Sequence, residues 1–186
     1  MSKVCVFLAD GFEEIEGLMV VDLLRRGGIE VTTVSIMGNK SIMGRSRIEV
    51  NADTLFEDMD YSDVDMIVLP GGMPGTTFLG NHAGLQDLIL QFAQADKKIA
   101  AICAAPTILG EMGLLEGKDA TCYPGLEDKL FGAKLSEKKV EVDGNIITSR
   151  GLGTSITFSL KLIEVLEGKE RALQVKEDIV FLHKWA

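Results

Sequence analysis

Hydrophobic residues along this chain occur in short unbroken runs, separated by stretches in which they recur at helical spacing. Continuous apolar runs are typical of strands buried on both faces, and the helical spacing is that of an amphipathic helix packed on a sheet. This order predicts an α/β protein with a mostly parallel sheet and helices on both faces. The predicted strands are 4–8, 30–35, 66–69, 99–102 and 120–123, and the predicted helices are about 13–26, 84–95, 104–112 and 155–166.

Two shorter patterns interrupt the alternation. Residues 41–50 alternate weakly and are expected to form a hairpin-like excursion, while 140–142 and 146–149 flank an Asp-Gly turn as a second hairpin. Gly113 is expected to end a helix in the left-handed conformation. Because no linker, repeat or low-complexity tract breaks the 186 residues, 1–186 are expected to form a single domain.

Charge and cysteine content narrow the possible functions. A formal net charge of −9 argues against nucleic acid and anionic membranes as partners. The N-terminal apolar run 4–8 is too short for a secretory signal, and no other run approaches a membrane span. The cysteines at 5, 103 and 122 are odd in number and far apart, which fits a reducing cytoplasm and predicts neither a disulfide framework nor a metal cluster.

Cys103 lies where a predicted strand passes directly into a predicted helix. Such a turn is crowded and tolerates only small neighbours, and Ala101 and Ala105 meet that condition. The side chain at the apex points toward the positive end of the helix, which stabilises a thiolate. The sequence therefore predicts a reactive cysteine at a nucleophile elbow, with a lowered thiol pKa.

Three strand-to-helix junctions are candidates to meet around this thiol, at 10–16, 70–72 and 103–104. Ligands of parallel sheets bind at such ends of the strands. If the strands are neighbours, the amides of Gly71, Gly72 and Ala104 could hold negative charge on or beside the sulfur, as an oxyanion hole does. A carboxylate from the first helix could approach the same sulfur.

Four segments together resemble the ThiJ/PfpI superfamily, and most closely its branch containing the Parkinson's-associated protein deglycase. They are Ala9–Glu16, Leu69–Gly72, Ala100–Pro106 and Thr148–Thr154. The resemblance implies a flavodoxin-like sandwich, a homodimer, and chemistry without a metal or other cofactor. It also implies a reactive Cys103, a protonated Glu16 that hydrogen-bonds the thiolate or an oxidised sulfinate, and anion-binding amides at Gly72 and Ala104. Glu13 and Glu14, in contrast, are expected to be solvated helix residues.

The sequence departs from that family at three positions. Ala104 follows the cysteine where hydrolases of the family have a histidine, and Tyr123 stands where the closest branch has one. His82 and His183 are the two histidines of the chain, and neither is expected beside the thiol. A phenol at Tyr123 could donate a hydrogen bond to a substrate oxygen, but it is a poor base at neutral pH. The family's dimer-interface arginine is also displaced, since arginines flank position 46 instead.

Three functions remain open from the sequence. The first is a cofactor-free enzyme of glyoxalase III or deglycase type, in which Cys103 attacks a small aldehyde or dicarbonyl. The second is a redox sensor or chaperone, regulated by oxidation of Cys103 to sulfinic acid. The third, ranked last because no histidine is expected near the thiol, is a peptidase or amidase. The glycine-rich loop at 151–153 lacks the spacing of a nucleotide-binding motif.

Overall fold

The computed structural model describes residues 1–181. Its helices are α1 (Glu14–Arg26), α2 (Gly75–Asn81), α3 (Ala83–Gln94), α4 (Pro106–Glu111), α5 (Ser155–Glu167) and α6 (Lys169–Asp178). Its strands are β1 (Lys3–Leu8), β2 (Glu30–Ser35), β3 (Ser41–Met43), β4 (Glu49–Asn51), β5 (Thr54–Leu55), β6 (Met66–Leu69), β7 (Lys98–Ile102), β8 (Asp119–Ala120), β9 (Lys134–Leu135), β10 (Val140–Asp143) and β11 (Ile146–Ser149).

Seven of these strands form one sheet, in the order β10-β11-β7-β6-β1-β2-β5. Every neighbouring pair is parallel except β10 with β11, which forms the expected hairpin. The flavodoxin-like α/β architecture predicted from the sequence is therefore confirmed. None of the helices described is both long enough and apolar enough to cross a bilayer.

Alternating side chains of the central strands supply two apolar cores, one on each face of the sheet. In β1, Val4, Val6 and Leu8 pack in a core that also contains apolar residues of α1, α5 and α6. Cys5 and Phe7 point to the other face, where α3 and α4 complete the second core. This alternation follows from the two-residue period of a strand, and covering both faces is what buries a parallel sheet.

Several element boundaries differ from the sequence prediction. The helix expected at 104–112 begins only at Pro106, and the strand expected at 120–123 ends at Ala120. Beyond Ala120 the chain leaves the ladder, because the Thr121 N–H donates to the Thr148 hydroxyl and the Tyr123 N–H donates to the Cys103 carbonyl. The sequence analysis missed α2, α6 and the short β5 and β9. Gly113 does adopt the expected left-handed conformation, at φ 73°.

Candidate active site

Three neighbouring strands of the sheet bring the three candidate junctions together. β1 pairs with β6 and β6 pairs with β7, all in parallel, so their carboxyl ends lie side by side. The turn after β1 leads into α1 with Glu16, the turn after β6 holds Gly71 and Gly72, and the turn after β7 holds Cys103. The predicted convergence of these junctions is confirmed.

Cys103 lies at the apex of the turn between β7 and α4, in the left-handed conformation at φ 66°. This conformation costs a non-glycine residue roughly 1–3 kcal/mol, so it persists only where surrounding contacts impose it. Here the Cys103 N–H donates to the Ser149 carbonyl at 3.0 Å, and its own carbonyl accepts the Tyr123 N–H at 2.8 Å. Ala101 and Ala105 are fully buried on either side, as the crowded turn requires.

The carboxyl group of Glu16 is buried against the thiol. Glu16 is 1% exposed, and its side chain and that of Cys103 share a hydrogen bond. Its Oε2 also accepts the Gly71 N–H at 3.0 Å, and the Leu152 backbone N–H donates to the same carboxyl. The Glu16 N–H in turn donates to Glu13 Oε2 at 2.8 Å, which fixes the first turn of α1.

Gly71 has a different role from the one expected. Its N–H donates to Glu16, so it holds the carboxyl group instead of charge on the sulfur. A methyl group on Gly71 would lie 2.5 Å from Cys103 Cβ, 2.6 Å from Glu16 Oε2 and 3.0 Å from Cys103 Sγ. Only glycine therefore lets this strand end approach both side chains at once.

The other two expected amides do act on the sulfur. The backbone N–H groups of Gly72 and Ala104 both interact with the Cys103 thiol and lower its pKa. Gly72 has φ 92°, and a Cβ atom there would lie 2.3 Å from the Glu13 nitrogen. The sulfur thus lies between two donors from two different turns, as an oxyanion hole requires.

Two threonines hold the residues that supply these donors. The Thr76 hydroxyl donates to the Gly72 carbonyl at 3.0 Å, and the Thr107 hydroxyl donates to the Ala104 carbonyl at 2.8 Å. Both threonines are buried, at 6% exposure. The sequence analysis did not identify either residue, because a threonine in the first turn of a helix carries no signal of what it braces.

The electrostatics of the pair confirm one expectation and contradict another. Burial, together with the charge of Glu13, raises the pKa of Glu16 to about 7, as expected for a carboxyl group in a poorly solvated pocket. The pKa of Cys103, however, is raised to about 12, first by burial and then by the charge of Glu16. The expected lowering of the thiol pKa is wrong, because these two effects outweigh the two amides. The pair therefore loses one proton near pH 7 and retains the other.

Tyr123 lies at the mouth of the site and is 53% exposed. A methyl group on Gly151 would lie 3.4 Å from the Tyr123 ring and 3.9 Å from Cys103 Sγ, so the phenol is a neighbour of the thiol. His82 is used elsewhere: its Nδ1 accepts the Leu85 N–H at 3.0 Å and caps α3. His183 lies outside the described residues.

Glu13 and Glu14 are buried, contrary to the expectation that they are solvated. Glu13 caps α1, and Glu14, at 2% exposure, accepts the Ser46 N–H at 2.7 Å. Ser46 lies in the turn between β3 and β4, and that hairpin therefore covers the start of α1. The β3–β4 hairpin itself was predicted, but its packing on the acidic turn was not.

No group of three or more His, Cys, Asp or Glu residues in the range 1–181 is arranged to hold a metal ion. The polar atoms around Cys103 are instead backbone amides and one carboxyl group. These groups can accept a proton from a thiol and hold negative charge on an oxygen or sulfur atom.

A mostly parallel α/β sheet, with a cysteine in the turn after β7 and a buried carboxyl group on the helix after β1, defines the class of protein. Comparison with known proteins identifies the family. Residues 2–165 match the DJ-1/PfpI family. The chain is 43% identical to protein DJ-1 homolog B of Arabidopsis thaliana over 96% of its length, and 38% identical to protein dj-1beta of Drosophila melanogaster over 97%. Oxidized DJ-1 of Toxoplasma gondii has the same fold, with a TM-score of 0.95 and 36% identity over 98% of this chain and all of that one. The chain belongs to the DJ-1/PfpI family.

The relatives differ in length. The chain spans 41% of the Arabidopsis protein but 98% of the Drosophila protein. Both matches cover nearly the whole of this chain, 96% and 97% of it.

Proposed function

We propose that this protein is a cofactor-free enzyme that converts reactive 2-oxoaldehydes into hydroxy acids, with Cys103 as nucleophile and Glu16 as the proton carrier. The observation that carries the proposal is the hydrogen bond between Cys103 and a buried carboxyl group, beside two amides that act on the sulfur. A thiol with a raised pKa needs a base in contact with it, and Glu16, with a pKa of about 7, is partly ionised at neutral pH and largely ionised above it.

The reaction begins when the Cys103 proton passes to the Glu16 carboxylate and the sulfur attacks the aldehyde carbon. The electron pair of the carbonyl bond moves to its oxygen, which rests on the Gly72 and Ala104 amides. Glu16 then returns its proton to that oxygen, giving a hemithioacetal and a free carboxylate. Proton transfer at the sulfur and at the oxygen bound next to it uses the same group, because Glu16 lies within hydrogen-bonding distance of the sulfur.

The rearrangement also needs only this carboxylate. Glu16 removes the proton from the carbon bonded to sulfur, the electron pair forms a double bond to the neighbouring carbonyl carbon, and the π pair of that carbonyl moves to its oxygen. The oxygen takes the proton back from Glu16, which gives an enediol. Glu16 then removes the hydroxyl proton on the sulfur-bearing carbon, the carbonyl of the thioester forms, and the second carbon takes that proton, which leaves a thioester of a 2-hydroxy acid. Water hydrolyses the thioester, releases the acid and restores the thiol. One carbon is oxidised and its neighbour reduced, so the sum is addition of one water molecule.

The name of a relative supports this choice of chemistry. The glutathione-independent glyoxalase DJR-1.2 of Caenorhabditis elegans is 32% identical to this chain over 161 residues, which cover 86% of the chain. The decisive experiment measures lactate formed from methylglyoxal by the wild type, Cys103→Ser and the control Cys122→Ala. Lactate from the wild type and the control, with a loss of about a thousandfold or more in Cys103→Ser, supports the proposal. Equal rates in all three proteins contradict it.

A second candidate function is redox sensing through the same thiol. Cys103 is half-buried while Cys5 and Cys122 are buried, and the amides on its sulfur suit the oxygens of a sulfinate. Intact mass spectrometry after mild peroxide treatment tests it. Addition of two oxygens at Cys103 alone supports the sensor, and equal oxidation of the three cysteines counts against it.

We also propose that the chain forms a homodimer through the surface around the start of α1. Ile15, Met43 and Ile48 are 43–53% exposed there, on the helix and on the hairpin that covers it. Exposed apolar side chains grouped in this way are typical of protein interfaces. Light scattering on the wild type and Ile48→Asp tests this: a dimer that becomes monomeric in the variant supports it, and a wild-type monomer contradicts it.

A further inference from the structure

A groove of about 280 Å³ lies next to Ala104, the residue that follows Cys103, between α2, α4 and the turn at 126–129. Its apolar walls include Met73, Ile108 and Leu126, and its polar walls include Asn81, Glu111 and Lys129. Neither the oxyanion hole nor the Cys103–Glu16 pair uses these six side chains.

The groove begins at the residues that hold the sulfur. Ala104 donates its N–H to the thiol and is also a wall of the groove, and Met73, a second wall, directly follows Gly72. The bracing threonines Thr76 and Thr107 line it as well. A substrate whose carbonyl oxygen lies on the two amides therefore has this groove as the adjoining space for the rest of its chain.

The polar walls have free hydrogen-bonding capacity. Within residues 1–181, the side chains of Asn81, Glu111 and Lys129 form neither a hydrogen bond nor an ion pair. An amide, a carboxylate and an ammonium group together offer both donors and acceptors, and a hydroxyl group can satisfy either kind. The apolar walls meanwhile suit the carbon backbone of the same chain.

We infer that this groove binds the substituent on the keto carbon, and that the preferred substrates are 2-oxoaldehydes bearing a hydroxylated chain of several carbons, such as those formed from hexoses. The inference rests on the proposed function, because it assigns the part of the substrate that does not react. The methyl group of methylglyoxal carries no donor or acceptor, so it leaves the hydrogen-bonding capacity of Glu111 and Lys129 unused.

Gly80 offers a way to fill the groove without disturbing the thiol. It lines the groove, and a Cβ atom there would meet only Ile108 side-chain carbons, at 3.4 and 3.8 Å. Gly80→Leu therefore adds bulk inside the groove, while Ala83→Leu places a leucine on an exposed position just outside it and serves as the control. Lys129→Met, which removes a donor without adding bulk, is the second variant should Gly80→Leu fail to fold.

The experiment compares kcat/KM for 3-deoxyglucosone, a hexose-derived 2-oxoaldehyde, with that for methylglyoxal. The wild type and Ala83→Leu should prefer 3-deoxyglucosone, and Gly80→Leu should lower kcat/KM for that substrate by about tenfold while leaving methylglyoxal turnover within about twofold. Lys129→Met should lower it by about threefold with the same selectivity. Equal losses for both substrates, or no wild-type preference, overturn the inference.

A binding measurement separates failure of the groove from failure of the chemistry. In Cys103→Ser, addition of 3-deoxyglucosone should shift the amide NMR signals of Asn81, Ile108 and Lys129, and Gly80→Leu in that background should abolish the shifts. Binding of the substrate in the groove is contradicted, whatever the turnover, if no shifts occur in Cys103→Ser or if the shifts persist when Gly80→Leu is added. Absence of turnover with shifts that Gly80→Leu abolishes overturns the proposed enzyme and supports the groove.

Discussion

Cys5 and Cys103 are two thiols with raised pKa values that differ in the groups around their sulfur atoms. The pKa of each is raised to about 12, and burial is the largest cause in both cases. At Cys5 the second cause is the negative charge of Asp63, whereas at Cys103 it is the charge of Glu16, which also shares a hydrogen bond with the thiol. The two sites therefore differ in the neighbouring acid: Glu16 is hydrogen-bonded to the Cys103 thiol and can accept its proton, whereas Asp63 acts on Cys5 through its charge.

Backbone geometry separates the two cysteines further. Cys5 pairs within the ladder of β1 and is fully buried, whereas Cys103 leaves its strand in a left-handed turn and is half-buried. The Cys103 sulfur thereby gains two amide donors. Reactivity at Cys103 should therefore depend on groups around it that Cys5 lacks, and the predictions below test those groups.

The largest effect is expected for Glu16→Gln, which removes the proton acceptor. Alkylation of Cys103 in the native wild type should rise as the pH passes about 7, because the pair loses its first proton there. In the variant this step should be absent, and the alkylation rate at about pH 8 should fall by about a hundredfold. Rates of iodoacetamide labelling measured by peptide mass spectrometry decide the matter.

Cys5 is the internal control for that experiment. It should label only when the protein unfolds, at a rate that Glu16→Gln leaves unchanged in denaturant. A wild-type profile without a step near pH 7, or one that the variant preserves, would contradict a role for Glu16 as the base.

The same carboxyl group should make stability depend on pH. Because its pKa is about 7 in the folded protein and ordinarily 4.5, its favourable contribution is complete below pH 4.5 and is lost as the pH rises through 7. The wild type should therefore lose about 3 kcal/mol of unfolding free energy relative to Glu16→Gln between about pH 4 and pH 8. Urea denaturation at both pH values measures it, with exposed Glu170→Gln as the control. A constant difference between wild type and Glu16→Gln would show that Glu16 titrates normally.

A smaller loss is expected for Gly71→Ala, since the added methyl group would collide with both members of the pair. Overpacking of this kind destabilises a protein by about 1–3 kcal/mol, and displacement of the two side chains should lower turnover by about tenfold. Thermal unfolding and methylglyoxal turnover are the measurements. Gly153→Ala is the matched control, because nothing lies within 4 Å of a Cβ atom at that position. Equal behaviour of the two variants would refute the crowding argument.

The sequence was sufficient for the fold and for the turn that carries Cys103. Apolar runs such as 66–69 correspond directly to buried parallel strands, and Ala101 and Ala105 mark the crowded turn by their size. The alternation of strands and helices implied a parallel sheet, whereas the placement of β1, β6 and β7 side by side was a condition of the prediction that only the structure established. The buried strands and the crowded turn could be predicted because each depends on residues close together in the sequence.

Tertiary contacts account for what the sequence did not reveal. Glu13 and Glu14 look like solvated helix residues, and only the packing of a distant hairpin buries Glu14. The partners of the Glu16 carboxyl are the backbone amides of Gly71 and Leu152. Because every residue type except proline has such an amide, the residue types in the sequence do not indicate which amides bind the carboxyl. The thiol pKa was mispredicted for the same reason, because helix direction suggested stabilisation while burial and Glu16 together dominate.

The smallest effect is expected for Thr107→Val, which removes one hydroxyl while keeping the shape of the side chain. The Thr107 hydroxyl holds the carbonyl of Ala104, whose N–H acts on the sulfur, so its loss should loosen one of the two oxyanion donors. Turnover should fall by about threefold to tenfold through kcat, with KM nearly unchanged, because the donor matters most when charge develops on the oxygen. Thr107→Ser should restore most of the rate. If Thr107→Val and Thr107→Ser lower kcat equally, the hydroxyl has no role and the threonine contributes packing alone. The backbone conformation of the two turns would then be sufficient to hold the amide donors that distinguish Cys103 from Cys5.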